Sequence, residues 1–129
     1  MAHKEQVELL KQGAERWNAW RAKKPETIID LSGGALRGFD MTGADLSGAN
    51  LSGADLRGAS LSGANLVDAR LEGANLFKVM LDGADLNRAN LSGAQFLHCG
   101  QLEVAHNWQS AYRDEELACG AAIPAMSGK

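Results

Sequence analysis

Two histidines and two cysteines, His98, Cys99, His106 and Cys119, are the residues of this chain best suited to hold a metal ion. Imidazoles and thiolates bind zinc when four of them converge at short, characteristic spacings. Here the intervals are 1, 7 and 13 residues, which match no standard zinc arrangement. An extended backbone would also send the neighbours His98 and Cys99 to opposite faces, so no metal site is expected.

Carboxylates are the other candidates for chemistry. Asp30, Asp40, Asp45, Asp55 and Asp85 lie at multiples of five along the chain. Acid–base catalysis needs such a group beside a nucleophile or base within a concave pocket. Aspartates on a regular outer surface supply solubility and side-chain ladders instead. With no nucleophile–base set to be recognised, the expectation is a protein that is not an enzyme and carries no cofactor.

The composition narrows the setting. Of 129 residues, 15 are Gly and only 2 Pro, and 45% are hydrophobic against 5% aromatic, so the core must be built from Leu and Ala in a narrow, regular interior. Residues 1–28 carry six basic and four acidic side chains, the stretch 29–98 five and eight, and the rest two and four. That mildly acidic balance argues against nucleic acid as a direct ligand, because phosphate binding needs clustered positive charge. The first residues lack the apolar stretch of a signal peptide, and no run is long enough to span a bilayer. Two cysteines are too few for a disulfide framework, and the cytoplasm is the expected location.

The elements that position all these residues follow from a strict period. Written in fives from Ile29, the chain reads IDLSG, GALRG, FDMTG, ADLSG, ANLSG, ADLRG, ASLSG, ANLVD, ARLEG, ANLFK, VMLDG, ADLNR, ANLSG and AQFLH. The third position is Leu in twelve of the fourteen units and the fifth is Gly in ten; the first is mostly Ala. Helices repeat near 3.6 residues and strands near 2, so neither accounts for a beat of five. The pattern resembles the pentapeptide-repeat family, whose consensus is A(D/N)LXX. The resemblance implies a right-handed, four-sided β-helix of four units per coil, with first and third residues inside, and it points to bacteria.

Fourteen units make three and a half coils, roughly 17 Å tall at the spacing of hydrogen-bonded strands. The inward columns are then Leu31/Leu51/Leu71/Leu91, Leu36/Leu56/Leu76/Phe96, Met41/Leu61/Leu81 and Leu46/Leu66/Leu86. Phe39 is too large for a deep corner and should fold over the open end, while Cys99 reads as a small core residue.

A solenoid needs covered ends. Residues 4–22 carry Val7, Leu10, Ala14 and Trp17 at helical spacing, giving an amphipathic capping helix stopped by Pro25. After Gly100 the beat fails, and the segment reads as one or two short helices closing the far end, with residues 120–129 fraying. The expected organisation is a cap and linker over 1–28, the β-helix over 29–98 and a C-terminal helical cap over 99–129.

One surface feature points to recognition. Phe77 and Leu97 are fourth-position residues twenty apart, hence vertical neighbours above Arg37 and Arg57, with Met80 one corner away. Such a patch is either a contact for another protein or a seat for the C-terminal segment. The leading expectation is a structural or protein-interaction scaffold with an unknown protein partner, either a monomer or an end-to-end homodimer. The alternative comes from the resemblance: some members imitate DNA and bind type II topoisomerases such as gyrase. Arg57, Arg70, Lys78 and Arg88 in mid-rod count against it.

Overall fold

The structure, a computed structural model, describes residues 2–115, 117 and 119; the expected fraying of residues 120–129 lies outside them. Among the described residues, twelve parallel bridges form four stacked ladders. One ladder runs Asp30, Asn50, Arg70, Asn90 and Tyr112, and the others start at Ala35, Asp40 and Asp45. Partners within the repeats are twenty residues apart, so each coil has four sides of five residues. All four inward columns of Leu and Met are buried from Leu31 to Leu91, and Ala44 to Ala89 fill the corners beside them.

The consensus residues follow from where each backbone N–H goes. The first-position N–H closes a turn on the preceding third-position carbonyl, as Ala54 does on Leu51 at 3.1 Å. The second-position N–H bonds to the coil below, and those of the third and fifth to the coil above: Asn50 to Ile29 at 3.0 Å, Leu51 to Arg70 at 2.6 Å, Gly53 to Glu72 at 2.9 Å. Only the fourth is left over. It is taken by the second residue's own side chain: the Ser52 N–H donates to Asn50 Oδ1 at 3.0 Å, and side-chain oxygens of Asp30, Asp45, Asn65, Asn75, Asp85 and Asn90 accept the same bond from the N–H two residues on. Asp and Asn therefore recur because they complete the backbone's hydrogen bonding, a task beyond the solubility expected of them. Gly at the fifth position meets the turn's need for positive φ, for example +67° at Gly53.

The N-terminal segment forms two helices where one was expected, α1 (Lys4–Lys11) and α2 (Ala14–Lys23). Gly13 separates them at φ +115°, a conformation no helix interior accepts. Together they replace the missing coil beneath the first. The Gln6 amide donates to the Ile28 carbonyl at 2.9 Å and accepts from the Asp30 N–H at 2.8 Å. On another side Asn18 donates to Gly43 and accepts from Asp45. Each amide copies the donor–acceptor pair of a peptide group, so the lower edge is met as another strand would meet it. Trp17 is fully buried, its indole N–H on the Asp45 carbonyl at 2.8 Å. Phe39 packs half-buried against the core and, with Gly13 and Ala14, lines a recess at this end.

Beyond His98 the coil path continues irregularly. A short helix, α3 (Cys99–Leu102), takes the place of the strand over Met80, and a 3-10 turn spans Trp108–Ser110. Between and after them His106 pairs with Asp85 and Tyr112 with Asn90, at offsets of 21 and 22 residues. Leu102, Ala105 and Ala111 are buried above the repeats. The C-terminal segment is thus a distorted further coil containing two helical turns, rather than a separate helical lid.

Two inward expectations need correction. Phe96 leaves its column: its φ of +62° turns the ring outward, where it is 63% exposed, and Leu97 packs half-buried against the core instead. Cys99 is no isolated core thiol; it forms a disulfide with Cys119, Cα–Cα 5.2 Å.

Candidate functional site: an exposed aromatic corner

The corner between Phe77 and Met80 departs from the repeat at four positions. Phe77, in the fourth position, is 45% exposed, and Met80, in the second, is 49% exposed. Phe96 stands edge-on to Phe77 with ring centroids 5.6 Å apart, so Phe96 occupies the place the sequence pattern gave to Leu97. Lys78 Nζ lies 5.4 Å from the centre of the Phe77 ring, within range of a cation–π contact.

Two of these departures oppose the local backbone. Lys78 replaces the fifth-position glycine yet keeps φ at +58°, a left-handed conformation costing about 1 kcal/mol or more for a residue with a Cβ. Met80 has no side-chain acceptor for the Asp82 N–H, where the other units on this ladder use Asp40 and Ser60 for that bond. Asp68 and Arg88 also hold the left-handed turn in place of glycine, but they bind each other at 2.8 Å. Their pairing was legible from the twenty-residue spacing.

Two further arginines of the rod are paired with carboxylates. Arg57 holds Asp55 at 2.6 Å and Arg70 holds Glu72 at 3.3 Å. The hydrogen bond from Arg57 is the largest influence on Asp55 and pulls its carboxyl from the ordinary 3.8 to about 2. A carboxylate depressed in the folded state stabilises the fold above its unfolded pKa, and loses that contribution as pH falls toward the folded value. Asp55→Asn keeps the side-chain acceptor but removes the charge. Between about pH 4 and pH 2 its melting temperature should therefore fall less steeply than that of the wild type; parallel slopes would contradict the pairing.

The recesses offer little chemistry. One of about 660 Å³ lies on the cap, among His3, Gln6, Leu9, Trp20 and Lys24. Another, about 440 Å³, at the junction of cap and rod, is lined by Lys11, Arg37, Phe39 and Asp40. The Thr42 hydrogen bond holds the Asp40 carboxyl below its usual range, which makes it a poor general base at neutral pH. Of the residues weighed for metal, Cys99 and Cys119 do come together, with a Glu103 carboxylate oxygen within 4.8 Å. Joined as a disulfide, the two sulfurs offer no thiolate. His106 lies apart in the ladder over Asp85.

The family described as pentapeptide repeats matches residues 29–63 and 54–93, in eight copies. The chain belongs to the pentapeptide-repeat family. Among solved structures, the pentapeptide-repeat protein Rfr23 from the cyanobacterium Cyanothece 51142 is 36% identical with a TM-score of 0.51, over 67% of this chain and 54% of its own. HetL from Nostoc sp. strain PCC 7120 is 34% identical over 64% of this chain and 38% of its own, TM-score 0.34. The protein alr5209 from Nostoc PCC 7120 is 28% identical over 80% and 88%, TM-score 0.37. This pentapeptide-repeat chain spans about half the length of Rfr23. No curated protein matches it. Pentapeptide-repeat proteins are in general structural or interaction scaffolds rather than enzymes. No helix among the described residues is long and apolar enough to cross a membrane.

Proposed function

We propose that this protein is a non-enzymatic interaction scaffold, and that the corner formed by Phe77, Phe96, Met80 and Lys78 is where another protein docks. The supporting observation is the coincidence of four departures from the repeat around one corner. Residues that oppose the local backbone point to a role outside the fold. Exposed aromatics and a methionine on a rigid frame are suited to fill a partner's pocket at little entropic cost. The arginine–carboxylate pairs at Arg57, Arg70 and Arg88 favour this reading over imitation of DNA, which needs uncompensated acid columns.

Restoring the repeat separates stability from recognition. Lys78→Gly relieves the left-handed strain, and Met80→Asn supplies the missing acceptor. Each is expected to raise stability by about 1 kcal/mol, measured by chemical denaturation. A Phe77→Asp/Phe96→Asp variant is expected to fold and to lose the partners that the wild type captures, and a partner so found is expected to bind the Lys78→Gly variant more weakly. A folded double variant that retains every partner would end the proposal. Sedimentation of the wild type tests monomer against homodimer.

A further inference from the structure

We infer that the Cys99–Cys119 disulfide is a redox latch that holds the last coil shut over the top of the core. The inference is independent of the docking corner. The bond joins the start of the irregular coil to its far end, closing a loop of 20 residues around the least regular part of the rod. Within the repeats each coil is met by four bridges, but among the described residues this one makes two, His106 on Asp85 and Tyr112 on Asn90. The backbone bonds that hold it are few: His106 to Ala84 at 2.7 Å, Leu86 to His106 at 2.9 Å, Leu91 to Tyr112 at 2.7 Å, Tyr112 to Ala89 at 2.9 Å and Gly83 to Val104 at 2.9 Å. Beneath it lie the apolar side chains Leu86 and Leu91, which water would reach if it lifted. The coils below keep complete ladders and need no cross-link.

Opening requires a dithiol reductant, either a small molecule or a dithiol protein. Its thiolate attacks the sulfur of Cys99, the more exposed partner. The S–S bond breaks, Cys119 leaves as a thiolate that takes up a proton, and the reductant's second thiol displaces Cys99 to give two protein thiols and an oxidised reductant. In a reducing cytoplasm, the location expected from the sequence, the coil would stand unlatched until oxidised. In an oxidising compartment it would stay closed.

Hydrogen exchange of the full chain, oxidised and then reduced with dithiothreitol, a small-molecule dithiol, tests this, with Cys99→Ser as a permanently unlatched control. Freeing a loop of this length should speed exchange at the Leu86, Leu91, His106 and Tyr112 amides on the order of a hundredfold. The Leu51, Leu56 and Leu61 amides should keep their rates, in both the reduced protein and the variant. Unchanged exchange at the four upper amides would overturn the latch, as would a loss of protection spread evenly down the rod, or free thiols in the air-oxidised protein.

Discussion

Leu66→Lys is expected to leave the chain without a cooperative unfolding transition. Leu66 is fully buried between Leu46 and Leu86 in a column with no polar group at its axis. An ammonium there has no carboxylate to meet and no path to water short of splitting the rod, and burying an unpaired charge costs more than the 5–15 kcal/mol that holds a domain together. Leu66→Ala should fold but lose about 2–5 kcal/mol, since neighbours tied into ladders above and below cannot collapse into the gap. Circular dichroism through a urea titration separates the cases. A folded, cooperative Lys variant would mean that Leu66 does not lie on the axis.

Removal of residues 1–24 should have an effect of similar size by a different route. The deletion strips Gln6, Asn18, Trp17 and Arg21 from the first coil together. It leaves the Asp30 and Asp45 N–H groups and the Asp45 and Ser47 carbonyls unpaired at a flat edge. Such an edge is a template for another chain, so the truncated protein should aggregate where the intact one stays soluble. Trp17→Ala is the gentler test: it opens a cavity and frees the Asp45 carbonyl from its indole partner, at a cost of about 3–5 kcal/mol. A soluble truncation with an unchanged melting temperature would show that the helices do not cap the rod.

The axis of Leu and Ala was legible because fourteen units in register resemble the pentapeptide-repeat consensus, and that resemblance implies a coil with first and third residues inside. The cap was legible as helix, but its break was missed although Gly13 was in view; its hydrogen bonding depends on Gln6 and Asn18 reaching residues 22 to 27 positions away, which no local pattern encodes. At the far end the register turns on a single left-handed residue. Once Phe96 adopts positive φ, it and Leu97 exchange inside for outside, and the patch becomes Phe77 with Phe96. A signal for the continuing coil was present: Leu102 and Ala105 keep the leucine-to-alanine spacing of three found throughout the repeats. The disulfide had a signal in its twenty-residue spacing, one coil, but the five-residue beat fails after Gly100 and the spacing was not carried across that break.

Solution NMR of the intact protein tests the stacked coil most directly. Close contacts between backbone protons are expected across each ladder at a separation of twenty residues, from Asp30/Asn50 through Asn75/Gln95 on all four sides. Contacts confined to neighbours three and four apart between residues 29 and 98, with none at twenty, would contradict the coil and the exposed corner built on it.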